Sequence, residues 1–183
     1  MKSSSAERAS DHVQERNLAP AHSVLEDQRI AIVIDVQNMF YSAKSIFKKK
    51  LNFDLLVRTI TRGRRLVRAI AYIVKSPEVD QTKFVDFLDS IGVEVKVKDL
   101  KVRPDGTSKG DWDMGIAIDS INLSPKVDVI ALVSGDGDFT VLAQKLQALG
   151  VKVEVYAFPS STAEELRSVA DYYYPLDADM LLF

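Results

Sequence analysis

The sequence predicts an α/β fold: a single domain with a central parallel β-sheet of about five strands and helices on both faces. Two observations carry this. From Ile30 onward, short apolar runs alternate with segments of helical spacing, the pattern of a parallel sheet with crossover helices. The strand candidates also divide into two kinds, continuous apolar runs that suit the sheet centre and alternating runs that suit its margins.

Residues 1–28 are polar, with Ser3-Ser4-Ser5 and scattered charges, and are expected to form a flexible or weakly helical tail before a domain spanning 29–183. Ile30-Ala31-Ile32-Val33-Ile34 reads as a buried strand, and Met39 to Lys50 as a helix. Asn52 is placed to cap a helix that runs to about Arg62 and stops at Gly63. Leu66 to Val74 is the next strand, ended by Ser76-Pro77. Phe84, Phe87, Leu88 and Ile91 recur at helical spacing before Gly92. Val93 to Lys98 alternates and predicts a strand near a sheet edge.

Asp99 to Gly110 is a polar loop with Pro104, Gly106 and Gly110. A helix is expected over Trp112 to Asn122, with Asp111 as its N-cap candidate. Val127 to Val133 is the second central strand, followed by a helix over Phe139 to Leu149 that Gly150 closes. Val151 to Tyr156 alternates and is expected at the periphery. Thr162 to Ala170 is a final helix, with Thr162 and Glu165 spaced as a capping box.

Composition narrows the chemistry. The 183 residues carry a formal net charge of −2, so a nucleic-acid role has to rest on local charge. Cysteine is absent, which excludes disulfides, zinc-thiolate sites and thiol catalysis and suits a cytoplasmic protein. No apolar run approaches the roughly 18 residues of a membrane span, and the N-terminus lacks the apolar core of a secretory signal. His12 and His22 both lie in the tail, which argues against a histidine acid/base mechanism. No Gly-x-Gly-x-x-Gly follows Ile34, which argues against dinucleotide binding.

Acidic residues in three segments carry the chemistry. Asp35 follows the first central strand; Asp136 and Asp138 follow the second in Ser134-Gly135-Asp136-Gly137-Asp138-Phe139; Asp113 opens a helix after Lys109-Gly110-Asp111-Trp112. Ligands in parallel sheets bind beyond the carboxyl ends of the strands, where strand order reverses. Neighbouring carboxylates repel one another and cannot all ionise without a cation. Two or three carboxylates plus water make the pattern of Mg²⁺ or Mn²⁺, which suits phosphodiester hydrolysis. Helix capping is the alternative role for Asp35 and for Asp138. Ser134, Lys109 and Asn38 are candidates for supporting the carboxylates or touching a phosphate, and Asp119 points about 120° away from Asp113 on the same helix.

Between Lys48 and Lys75, nine basic residues face one acid, Asp54. Arg62, Arg64 and Arg65 from that stretch, with Lys101 and Arg103 from the polar loop, are the expected RNA contacts. Tyr41, Phe47, Tyr72 and Trp112 are candidate stacking groups, with core packing as the competing role.

The segments Ile32-Val33-Ile34-Asp35-Val36-Gln37-Asn38, Lys109 to Asp119, and Ser134 to Phe139 resemble the NYN domain, in the LabA-like branch of the PIN-like nuclease superfamily. The resemblance spans about residues 29 to 175. It implies a PIN-like (Rossmannoid) sheet, a Mg²⁺ or Mn²⁺ site and cleavage of RNA, expected to be single-stranded. It implies that Asp35, Asp113, Asp136 and Asp138 are the metal carboxylates, that Asn38 partners Asp35, and that Asp119 matches an acid six residues further along the middle motif. This chain has one residue more than the usual middle motif, Asp111-Trp112, which leaves Asp111 as an alternative to Asp113. A regulatory RNA-binding module without catalysis is the competing function. The edge strand at 93–98 offers a pairing surface for a homo-oligomer.

Overall fold

The computed structural model describes residues 27–75, 79–99, 101–102 and 108–182, with backbone only at 101–102 and 108–109. The expected tail lies outside the described residues apart from Asp27 and Gln28. Among the described residues, eight strands and six α-helices follow in chain order: β1 (Arg29–Asp35), α1 (Val36–Phe47), α2 (Phe53–Thr61), β2 (Arg65–Lys75), α3 (Thr82–Ser90), β3 (Glu94–Asp99), β4 (Lys101–Val102), β5 (Ser108–Lys109), α4 (Asp113–Leu123), β6 (Val129–Val133), α5 (Thr140–Ala148), β7 (Lys152–Ala157), α6 (Glu164–Val169) and β8 (Tyr172–Pro175).

Six strands form one parallel sheet in the order β3-β2-β1-β6-β7-β8. From β1 the chain winds outward through β2 to β3. It then crosses back and winds the other way through β6, β7 and β8. The reversal opens a crevice between the carboxyl ends of β1 and β6. β1 and β6 are central, as their apolar runs require, and β3 is an edge.

Side-chain alternation along the strands builds two cores. Ile30, Ile32, Ile34, Ala69, Ala71, Val129 and Val133 meet α1, α2 and α3 through Met39, Leu56, Ile60 and Leu88. On the opposite face Ala31, Val33, Ile70, Ile130, Leu132 and Val153 meet α4, α5 and α6 through Ile116, Leu142, Leu146 and Leu166. Both faces of the sheet are therefore helix-covered, which explains why β1 and β6 show no polar alternation.

Several expectations are corrected. β7 is interior, because β8 pairs along its outer side. The sequence reading missed β8: Tyr172-Tyr173-Tyr174 is short and directly follows a helix, and Pro175 ends it on an edge where a missing donor is tolerated. Glu154 on β7 is buried, with its carboxylate accepting from both terminal nitrogens of Arg64 (2.7 and 3.0 Å) and from Tyr156 Oη (2.8 Å). Part of the 99–110 loop is an antiparallel ribbon, β4 against β5. Asp111 does not cap α4; Trp112 holds that position without a side-chain bond. The Thr162/Glu165 box is also absent, since Ala163 occupies the cap and Thr162 Oγ1 donates to the Phe158 carbonyl.

Candidate active site

The first acidic group is set by the end of β1. Asp35 is the N-cap of α1, and its Oδ1 accepts the backbone N–H of Asn38 at 3.0 Å. Capping and site membership coincide here, because Oδ2 faces β6 and accepts from Ser134 Oγ at 3.3 Å. Ser134 is fully buried, and its Oγ in turn accepts the Asp136 N–H at 3.2 Å. Asn38 closes the gap from the other side, with Oδ1 accepting the Gly135 N–H at 3.1 Å. The amide nitrogen of Asn38 is left as the donor for the cleft it lines.

Gly135 and Gly137 have no left-handed backbone; they are needed for close approach instead. A Cβ on Gly135 would sit 2.3 Å from the Ser161 carbonyl oxygen, and one on Gly137 would sit 2.6 Å from Glu165 Oε1. The Gly135 carbonyl also accepts the Ala163 N–H at 2.9 Å, so the loop after β6 is pinned to the segment leading into α6.

Asp136 and Asp138 separate in role. Asp136 caps a 3₁₀ turn over Gly137–Phe139, accepting the Asp138 N–H at 3.0 Å, and lines the cleft. Asp138 is exposed, lies outside the cleft lining and does not cap α5, whose cap position is Phe139.

Asp113 stands in the first turn of α4, across the cleft from Asp35. Burial, followed by the charges of Asp111, Asp136, Asp35 and Asp138, pushes its carboxyl up to about 6. Burial likewise raises Asp35, partly offset by its bonds to Asn38 and Ser134. Both Asp111 and Asp113 line the cleft. The cavity measures about 290 Å³, with Gln37, Tyr41, Ser42, Tyr72, Val74 and Trp112 completing its walls. Gln37 and Ser42 went unassigned in the sequence reading. The signal for them was the spacing 37, 38, 41, 42, one face of α1.

Asp119 does not line the cleft. It accepts from Tyr72 Oη (2.7 Å) and Lys96 Nζ (2.6 Å). Burial opposes its charge, but those two bonds and the charges of Lys96 and Arg68 hold it below the usual carboxylate range. It braces Tyr72 rather than joining Asp113.

The expected RNA contacts fare differently. Arg65 starts β2 in register with Arg29. Asp35 lies six residues beyond Arg29, about 20 Å along the strand. Arg62 and Arg64 precede Arg65, so all three sit at the opposite end of the sheet. Arg64 is withdrawn from any ligand by its buried pair with Glu154, and Arg62 lies over the Tyr174 ring at 4.5 Å. Their clustering in sequence marks the start of a strand, not the rim of the cleft. Arg103 and the side chains of Lys101 and Lys109 lie outside the described residues. Beside the cleft, Lys98 from β3 donates to the Asp111 carbonyl at 2.9 Å and lies 5.5 Å from the Trp112 ring centroid.

Among the described residues, no three carboxylate or imidazole side chains converge tightly enough to hold an ion by themselves. No helix among them is long and apolar enough to cross a membrane.

Comparisons with known proteins agree with this architecture. The NYN domain profile matches residues 29–177. The chain is 35% identical over 160 residues to the low amplitude and bright protein LabA of Synechococcus elongatus, covering 81% of this chain and 84% of LabA. It is 27% identical over 150 residues to an uncharacterised protein of Methanocaldococcus jannaschii, covering 80% of this chain and 54% of that one. A crystal structure of a Vibrio parahaemolyticus protein of unknown function superposes with a TM-score of 0.80 at 36% identity, covering 88% of this chain and all of that one. The chain belongs to the NYN domain family, in its LabA-like group.

Proposed function

We propose that this protein is a metal-dependent ribonuclease acting on single-stranded RNA. One observation carries the proposal: Asp35, Asp113 and Asp136 face one cleft at the sheet's reversal point, where burial, followed by the charges of the neighbouring carboxylates, raises Asp113 to about 6. Such a site lowers its energy by taking up positive charge. The domain family, whose members are generally nucleases, supports the same reading.

The donors fit a hydrated Mg²⁺ or Mn²⁺, which keeps several waters and needs only one or two direct carboxylates. Asp113 and Asp136 are the residues that would hold it, with Asp35 oriented by Ser134 and Asn38 to receive a proton from attacking water. When bound, the cation activates water and neutralises charge on the phosphoryl oxygens. The amide nitrogen of Asn38 is available to a phosphate oxygen, and Asp138 adds negative potential from outside the cleft.

The test incubates labelled single-stranded RNA with Mn²⁺, Mg²⁺ or chelator. Metal-dependent cleavage by the wild type and its loss in Asp35→Asn, with the fold retained, is the expected result. Equal cleavage by both proteins, with contamination excluded, sinks the assignment.

A second function, RNA binding without cleavage, is favoured by the absence among the described residues of a three-carboxylate cluster. Binding that persists in chelator, with RNA never shortened in any metal, identifies it.

A further inference from the structure

We propose that Tyr41 is the stacking platform for one unpaired nucleobase, with the Gln37 amide one turn earlier meeting the base edge; this rests on the RNA-cleaving reading of the same cleft. Among the described residues, three aromatic rings line the cleft, and two are committed elsewhere. Tyr72 is buried and its hydroxyl donates to Asp119. Trp112 is locked by its Nε1–H bond to the Ile73 carbonyl at 2.9 Å and by packing against Gly115, where a Cβ would sit 2.5 Å from the indole.

Tyr41 differs: it is 60% exposed while lining the acidic cleft of about 290 Å³. Phe40 packs against its ring in a T-shaped pair, with centroids 5.6 Å apart and planes at 74°, which props the ring while most of it stays in solvent. A large amphipathic ring left in water beside a site carries its apolar face at a cost that a stacked base removes.

Helical geometry places the parts. Gln37, Asn38, Tyr41 and Ser42 share one face of α1, whose first turn begins at Asp35. A base stacked on Tyr41 therefore sits about one helical turn from the Asn38 amide. Its backbone then runs toward the carboxylates, with Lys98 beside the cleft, on the Asp111 carbonyl, to meet phosphate charge. Bases inside an A-form duplex are stacked on both faces and paired at their edges, so this platform selects unpaired nucleotides.

Binding of a fluorescent single-stranded RNA in Mg²⁺ tests the idea, using the full chain, Tyr41→Ala and Tyr41→Phe. Each protein meets the intact RNA and a series carrying one abasic nucleotide at each position. Tyr41→Ala is expected to weaken binding of intact RNA about tenfold, and Tyr41→Phe to match the wild type. One abasic position should erase the difference between Tyr41→Ala and wild type, because the lost base is the ring's partner. Equal binding by Tyr41→Ala and wild type overturns the proposal, as does a loss that persists with every abasic RNA. Cleavage is read on the same samples. Tyr41-dependent binding without cleavage overturns the hydrolytic reading alone, and cleavage without Tyr41 dependence overturns the stacking site alone.

Discussion

Asn38 Oδ1 accepts the Gly135 N–H at 3.1 Å, joining the first turn of α1 to the loop after β6. These residues are 97 positions apart in sequence. Their bond, with that of Ser134 Oγ to Asp35 Oδ2, holds Asp35 and Asp136 on either side of one crevice, so the geometry of the acidic site depends on an amide as well as on a carboxylate. Replacing Asn38 by Ala leaves the Gly135 N–H without its partner, and a cost of about 1–2 kcal/mol in unfolding free energy is expected. Asn38→Asp is expected to be worse for activity, because it adds a fifth acidic group to the cluster. Chemical denaturation and cleavage rates of both variants check this.

Asp113 makes stability depend on pH with a defined sign. Its folded carboxyl titrates near 6, above the 3.8 of an unperturbed aspartate. Well below pH 3.8 both states are protonated and the residue contributes nothing. As pH rises toward 6 the unfolded state ionises first, so stability falls and stays low above that value. Thermal melts of the metal-free protein should show Asp113→Asn gaining little at pH 4 and clearly at pH 7.5. Added Mn²⁺ should raise the melting temperature of the wild type at pH 7.5 and leave Asp113→Asn nearly unmoved.

The two basic regions should behave in opposite ways. Arg62→Ala and Arg65→Ala, at the far end of the sheet, should leave RNA affinity within about twofold of wild type. Lys98→Ala, beside the cleft, should weaken it and reduce its salt dependence. Filter binding at several salt concentrations separates the cases. Loss of affinity in Arg65→Ala alone would return the RNA path to the opposite end.

Arg64 and Glu154 should matter to folding and not to the site. Their side chains are 3% and 6% exposed. Glu154→Ala leaves a buried guanidinium without its partner, and a cost of about 3–5 kcal/mol is expected. Denaturant titration measures it, and a loss below about 1 kcal/mol would mean that water reaches the pair.

Much of the architecture was legible locally. The apolar runs of β1 and β6, the Asn52 cap of α2 and the glycines at 63, 92 and 150 each act through near neighbours. Asp35 and Asp136 could be placed at one sheet edge because strand polarity and connection rules are general. β8 was not legible, because its three tyrosines become a strand only where β7 offers a free edge. Glu154 alternates like a solvent-facing residue, and the charge of Arg64, 90 positions away, makes its burial tolerable together with the Tyr156 hydroxyl.

The sequence by itself determined the alternation of strands and helices from β1 to α6 apart from the β4–β5 ribbon, the two central strands and the set of acidic residues that end them, since each follows from periodicity, caps and connection rules acting over a few residues. Tertiary structure alone decided which charges belong together. It moved Arg62, Arg64 and Arg65 to the far end of the sheet, set Asp119 under Tyr72, and left Tyr41 open at the cleft. Charge and exposure depend on distance in space, and the sheet brings residues a hundred positions apart into contact while holding near neighbours on opposite faces.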